Sequence, residues 1–338
     1  MRKNLMPYRL APRLLALRLL ALSLSLFVTL LPATARSQQA APWPNKPVRL
    51  IVPAAAGGPT DIVGRVVAAE LSNTLGQQVW VDNRAGAGHL IGMTAGAAAE
   101  PDGYTFLVVT TPFVVMPWLQ KKMPYETRDL QPVIWMTSSP FVLVVPPALP
   151  VKNVPELVAL AKAKPGELNM ASAGKTTGPH LTGELFRLSA GIQVQHVAYR
   201  GGPQAETAIL RGEAAFLFDT PSGALPHVEA GAMRGLAVTS LKRMGNAPAI
   251  PTVAESGLPG FEADSWNGLV APAGVSKAIV SRMAAAVAEA LAKPEVTSRL
   301  TAAGFTPVAA PSAAFADLIA RDLVKWSSVV KQAGLAAE

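Results

Sequence analysis

The sequence predicts an α/β protein of two lobes, each lobe a mainly parallel sheet flanked by helices. Three observations lead there. The chain has 338 residues, half of them hydrophobic, which is enough for about two domains. Short β-branched runs alternate with apolar positions at helical spacing, in βαβα order, twice along the chain. Between the two series, residues 133–145 read as two strand pieces broken at Ser139-Pro140, and residues 265–271 read as a return. The first lobe is then expected over 36–142 with 270–338, and the second over 143–269.

The first 35 residues read as a targeting segment. Arg2, Lys3, Arg9, Arg13 and Arg18 precede an apolar run over 19–31, and Ala33-Thr34-Ala35 is a small-x-small cleavage site. The run is short for a membrane span, although an uncleaved anchor is the alternative. The net charge of +8 falls to +3 once those five cations are removed. No basic stripe interleaved with aromatics follows, so nucleic-acid binding is not indicated. The chain has no cysteine, which excludes disulfides, a thiol nucleophile and thiolate metal sites. The mature chain is expected to be exported and periplasmic, cleaved after about Ala35.

The opening strand, 48–52, runs into Gly57-Gly58-Pro59-Thr60-Asp61. From there Ile62, Val63, Val66, Val67 and Leu71 recur at helical spacing. A strand, a glycine turn and a helix start leave unpaired N–H groups at the positive end of a helix dipole. Proline suits the first helical turn. This makes a candidate anion seat, and equally a tight turn that binds nothing. Further strands are expected over 77–82 and 104–110, with a helix over 90–99 between them. In the second lobe, strands over 168–171, 194–199, 214–218 and 236–239 alternate with helices over 155–164, 180–190, 204–211 and 221–230. Two amphipathic helices close the chain. One carries Val280, Met283, Val287 and Leu291, the other Phe315, Leu318, Ile319, Leu323 and Trp326.

Catalytic patterns fail on inspection. Gly174-Lys175-Thr176 ends like a phosphate loop, but Asn169 stands where the pattern needs glycine. Gly86-x-Gly88 follows a strand, yet Ile91 occupies the third glycine position of a dinucleotide fingerprint. Gly174 to Gly178 has nucleophile-elbow spacing with Thr176 in place of serine, and Asp219 and His227 follow in triad order. The histidines, His89, His180, His196 and His227, have no partner at metal-ligand spacing. No catalytic residue, metal ligand or cofactor is expected. The consistent picture is two helix starts, at Gly57-Gly58 and at 172–177, facing each other across a cleft and holding a molecule with acidic ends.

The same residues carry a resemblance. WPNKPVRLIVP over 43–53, Gly57-Gly58-Pro59-Thr60-Asp61, VDNR over 81–84, Gly86-Ala87-Gly88 and PDGYT over 101–105 appear in this order. Ala171-Ser172-Ala173-Gly174 with His180-Leu181 follows, then Tyr199-Arg200-Gly201, LAVTS over 236–240, PTVAE over 251–255 and APAG over 271–274. Together they resemble the Bug receptors, the substrate-binding receptors of tripartite tricarboxylate transporters, over about 43–334.

The resemblance implies a periplasmic binding protein of the Venus-flytrap type, type II, acting as a monomer. It implies capture of a small carboxylate, dicarboxylic or aromatic, and delivery to membrane permease subunits. A receptor serving a sensor kinase and, more remotely, a hydrolase using Thr176 or Ser222 are the alternatives. The expected ligand set is Ala56, Gly57, Gly58, Thr60, Thr111 and Phe113 in the first lobe. In the second it is Ser172, Gly174, Thr177, His180 and Asp219. The chain departs from the family pattern at Ala54, Met116, His89 and Thr176, where phenylalanine, asparagine, glycine and glycine are usual. Ala54 and Met116 would make the first wall smaller and less polar. The expectation is a bulkier or partly aromatic ligand with Phe113 as a stacking partner, against simple drift at rim positions.

Overall fold

Residues 43–175 and 177–335 are described by a computed structural model. The expected leader over 1–35 with its cleavage site, and Thr176 with the stiffening expected of it, lie outside the described residues. Strand β1 (Val48–Val52) is buried almost throughout. It passes through the glycine turn into α1 (Pro59–Leu75), which Gly76 closes in the left-handed conformation at φ 66°. Strand β2 (Val79–Asn83), helix α2 (Leu90–Ala97) and strand β3 (Thr105–Thr110) complete the first parallel unit.

Helix α3 (Pro112–Leu119) is not foreseen by periodicity. Its sequence PFVVMPWL has no polar stripe, because Phe113, Val114, Val115 and Met116 are all buried. Strands β4 (Leu130–Ser139) and β5 (Val142–Val145) follow, separated by Pro140 and Phe141. The second lobe then runs through α4 (Val154–Ala163), β6 (Asn169–Ser172), α5 (Gly178–Ala190), β7 (Gln195–Ala198) and α6 (Gly202–Leu210). It continues with β8 (Phe216–Asp219), α7 (Pro221–Glu229) and β9 (Arg234–Val238). Strand β10 (Ser265–Pro272) returns to the first lobe. Helices α8 (Lys277–Ala292) and α9 (Pro294–Ala302), strand β11 (Thr306–Pro311) and helix α10 (Ser312–Gln332) finish the chain.

Two sheets result, ordered β11-β4-β10-β3-β1-β2 and β7-β6-β8-β5-β9. They are mixed rather than mainly parallel. In the first, β10 runs antiparallel to both β3 and β4, and β11 antiparallel to β4. In the second, β5 runs antiparallel to both β8 and β9. The reason is where these strands begin. A strand of a βα unit ends at the edge that meets the other lobe, whereas β5 and β10 arrive from the other lobe and start there. Sheet membership also moves the crossings. Val142 already belongs to the second sheet, and Ser265 to Leu269 already belong to the first.

The crossings are tied together. Asp264, just ahead of β10, accepts hydrogen bonds from Ser138 Oγ at 2.8 Å and Thr239 Oγ1 at 3.2 Å. Phe141 N–H donates to Thr239 Oγ1 at 2.8 Å. Burial pushes the Asp264 carboxyl up to about 6. A buried cluster runs through both lobes on this side, from Ile51 and Phe113 through Leu143 and Phe218 to Trp266 and Trp326. Helix α10 packs on α3 of the first lobe and α5 of the second. Separate clusters back the outer faces of the two sheets.

Candidate functional site

The two sheets present their shared edge to a cavity of about 540 Å³, within the range of small-molecule sites. Four helix starts line it. They are Pro59-Thr60 of α1, Thr111-Pro112 of α3, Thr177-Gly178-Pro179 of α5 and Thr220-Pro221-Ser222 of α7. Each has proline in its first turn, where the missing N–H costs nothing. Each follows the end of a strand, or a short turn beyond it, so the fold itself aims the four helix dipoles inward. Each contributes a partial positive charge of roughly half a unit. Lys175 and His89 add to the lining, and among the described lining residues there is no carboxylate. Between the polar starts lie Val115, Met116, Leu119, Phe141, Leu181 and Phe305, which give the cavity an apolar waist.

Of the expected ligand set, Thr60, Thr111 and Thr177 line the cavity. The rest do not: Phe113, Ser172, His180 and Asp219 are buried, Gly58 and Gly174 half-buried, and Ala56 and Gly57 exposed. Gly57 N–H donates to Asp61 Oδ2 at 2.8 Å, and Gly58 N–H to Ala55 O at 3.2 Å. The expected anion seat at Gly57 and Gly58 is thus filled by the chain itself, and Ala56, Gly57 and Gly58 do not line the cavity. Asp61 is buried and also accepts from Arg65 Nε and from Asn83 Nδ2, each at 2.8 Å. Burial alone would raise its carboxyl. The hydrogen bonds from Arg65, Asn83 and Gly57 outweigh that and hold it below the usual range.

Phe113 faces the interior, 1% exposed, with its ring parallel to that of Tyr125 at 6.5 Å. It is not a wall of the cavity, because α3 turns its inward face to the core one residue after Pro112. Met116 does line the cavity, whereas Ala54 packs toward the outer core instead. Ser172 is fully buried. Its hydroxyl lies 2.6 Å from His196 Nε2, accepts from Gly174 N–H at 3.2 Å and donates to Gly174 O at 3.1 Å. Thr177 Oγ1 donates to Gly174 O at 2.8 Å, so Ser172 and Gly174 shape the turn whose outer member, Thr177, meets the cavity. The rings of His180 and His196 stack at 3.7 Å. Burial, then His196 and Lys175, push His180 down to about 4, and burial lowers His196.

Asp219 is buried beneath the Thr220-Ser222 wall, its Oδ1 accepting from Thr220 N–H at 2.8 Å. Burial and the neighbouring Glu206 push it up to about 7. His89 sits in the cavity lining at φ 77°, with Nδ1 3.3 Å from Thr110 Oγ1. A positive φ explains why glycine is usual there, and burial lowers the imidazole.

Sequence reasoning missed Ser139, Asn267 and Phe305 as lining residues. It also placed Ser222 only in a rival hydrolase reading. One signal was available: Thr220-Pro221 repeats Thr111-Pro112, a strand end followed by threonine and proline. Asn267 and Phe305 lie far along the chain from the other walls, and only the sheet order brings them in.

A sequence profile described as "Tripartite tricarboxylate transporter family receptor" matches residues 63–335. The chain belongs to that receptor family. The receptor is 37% identical over 295 residues to protein BugT of Bordetella pertussis, covering 86% of this chain and 90% of BugT. Among solved structures it is similar to the R. palustris protein Rpa4515 with adipate, at 33% identity and TM-score 0.73, covering 87% of this chain and 99% of that one. It is also similar to MatC of Rhodopseudomonas palustris with bound malate, at 30% identity and TM-score 0.68, covering 85% and 100%. The family is one of periplasmic substrate-binding receptors. Among the described residues no helix is long and apolar enough to cross a membrane.

Proposed function

We propose that this receptor captures an organic carboxylate with an apolar or aromatic body and hands it to membrane permease subunits of a tripartite transporter. The carrying observation is the convergence of four proline-started helix N-termini on one cavity whose described lining has no carboxylate. Such a place favours an anion through oriented N–H groups and hydroxyls, without a paired metal or a dense cation cluster. The apolar waist from Val115 to Phe305 suits a ligand body with little polarity of its own. Adipate and malate in the two similar structures are small carboxylates of the same broad class.

The reading is non-catalytic. Ser172 and His196 make a serine–histidine contact, but Ser172 is fully buried and does not line the cavity. Ser222 does line it, and its described hydrogen bond is to Thr220 Oγ1 at 3.3 Å, not to a base. Export after cleavage near Ala35 belongs to the same proposal.

Thermal-shift screening of adipate, malate, succinate and benzoate against the mature chain tests this. At least one acid is expected to raise the melting temperature in proportion to log concentration. Thr177→Asp is expected to abolish that rise, because it sets a carboxylate in the anion's position, and to lower the unliganded melting temperature modestly, because the Gly174 carbonyl loses its Thr177 donor. Failure of every acid to stabilise, or an undiminished response in the variant, would overturn the proposal.

A further inference from the structure

The first lobe spends its glycine-turn donors inside the chain, Gly57 N–H on Asp61 and Gly58 N–H on Ala55 O. Another donor stands in the same lobe. His89 lines the cavity, half-buried, at the end of the turn Ala87–His89 and directly ahead of α2. It holds a φ of 77°, in a region that costs a side chain some strain. Its Nδ1 lies 3.3 Å from Thr110 Oγ1, at the end of β3. Its Nε2 has no hydrogen-bond partner among the described residues and is not sealed from solvent. One ring nitrogen is anchored in the wall and the other is open.

The Thr110 hydroxyl can donate or accept. Donating to Nδ1, it puts the hydrogen of the neutral ring on Nε2. Accepting from Nδ1–H, it serves the imidazolium, which carries a hydrogen on Nε2 as well. An anion selects against the remaining tautomer, in which Nε2 is a bare acceptor. No charge in the wall competes for the ring. Helices α2 and α3 and strand β3, the elements around it, carry no ionisable residue. Arg84, on the loop leading in, is turned to Asp82 at 3.0 Å. Lys175, from the other lobe, is the other ionisable residue of the described lining. Burial lowers the imidazole, and a carboxylate set beside Nε2 raises it again by favouring the charged ring.

We infer that His89 Nε2 is a further ligand-binding group of this receptor, donating to a carboxylate of the bound acid, and that capture of the acid takes up a proton at this ring. The inference rests on the carboxylate reading above and adds to it. The helix starts hold the acid through N–H groups and hydroxyls that do not titrate. His89 makes the grip depend on pH. Because the bound ring holds its proton more tightly than the free one, affinity rises as pH falls through the bound-state pKa, and levels off below the free-state one.

The test is isothermal titration of the mature chain with adipate, malate, succinate and benzoate at pH 6.5 and pH 8, both above the ordinary carboxylate range. Each titration is repeated in buffers of different ionisation enthalpy, which reports proton uptake. At least one acid is expected to bind roughly three-fold or more tightly at pH 6.5, with uptake of a fraction of a proton. Two variants suit the backbone, since glycine and asparagine both accept this φ. His89→Gly removes the ring. His89→Asn keeps a short side chain within reach of Thr110 but has nothing where Nε2 stood. Both are expected to weaken binding roughly ten-fold at pH 6.5 and to bring the ratio between the two pH values close to one. Thermal unfolding confirms that each variant folds. Affinity kept in His89→Asn but lost in His89→Gly would mean that the residue only props Thr110, and would overturn the inference. So would a parent that binds without proton uptake, or a pH ratio unchanged in both variants. Each of these leaves the carboxylate reading standing. Binding of none of the four acids would sink that reading and this inference with it.

Discussion

The starts of α1 and α5 look alike in sequence, a strand, a glycine-containing turn and a helix with proline in its first turn, yet they are built on opposite electrostatic plans. At α1 an ionised carboxylate, Asp61, fills the turn and is fixed by Gly57, Arg65 and Asn83. At α5 the turn is fixed by neutral groups, the Ser172 hydroxyl on His196 and the stacked ring of His180. The neighbouring α7 start has a carboxyl of the opposite kind to Asp61, Asp219, pushed up to about 7 by burial and by Glu206. Both plans leave one threonine, Thr60 or Thr177, facing the cavity. They differ in what acid or base does to them. A capping carboxylate with a lowered pKa stays charged across the whole ordinary range. Buried imidazoles and a raised carboxyl change state within it.

The largest expected effect breaks the first plan. Asp61→Ala leaves Gly57 N–H without its acceptor and takes one of two acceptors from Asn83 Nδ2 and one of two from Arg65, at a cost of about 3 kcal/mol in unfolding free energy. Denaturant unfolding at neutral pH measures it. A loss below about 1 kcal/mol would show that the turn does not depend on the carboxylate.

The next effect separates the two plans by pH. Asp61, with its lowered pKa, contributes stability that is present above the ordinary carboxylate range and lost only in stronger acid. His180, pushed down to about 4, binds a proton more readily when unfolded, so its burial makes stability rise with pH between about 4 and 6.5. Asp219, pushed up to about 7, does the reverse: the unfolded chain loses its proton first, and stability falls from about pH 4 to about 7. Asp219→Asn is therefore expected to match the parent at pH 4 and exceed it at pH 8, by on the order of 2 kcal/mol. His180→Gln is expected to flatten the rise between pH 4 and 6.5. Melting curves across that range check both, and an Asp219→Asn variant with no pH-dependent gain would remove the contrast between the lobes.

Much of this was legible in the residues. The two βαβα series, the break at Ser139-Pro140, the helix starts of α1 and α5 and the cleft side of Thr60 and Thr177 follow from local patterns, whereas Thr111 came with the family resemblance. What failed was direction over one to three residues. Phe113 and Asp219 each neighbour a lining residue along the chain and Ser172 lies three positions before one, Lys175, and side chains on nearby positions of a strand end or a first helical turn point different ways. Whether a side chain meets ligand or core at such a place is decided by what packs behind it: Tyr125 behind Phe113, His196 behind Ser172, Glu206 near Asp219. Those partners lie 12 to 24 positions away along the chain, and no local pattern points to them. The mixed sheets were hidden for a related reason. Strand direction in β5 and β10 depends on which lobe the chain is leaving, which composition does not encode.

The smallest expected effect asks whether the neutral plan also serves binding. Ser172→Ala removes one hydroxyl that satisfies His196 Nε2 and Gly174 N–H together. Because both groups are neutral and neither carries a charge to strand, the cost is about 1–2 kcal/mol, smaller than for Asp61→Ala. The turn it loosens carries Thr177 through the Gly174 carbonyl, so affinity for a stabilising acid is expected to fall a few-fold although Ser172 does not line the cavity. The matched control is Phe113→Leu. It trims a buried ring from the first lobe's core, destabilising by about 1 kcal/mol, and leaves affinity unchanged. Titration of the two variants with the same acid decides. Equal affinities would mean that the Ser172–His196 contact holds up the fold without setting the ligand's grip.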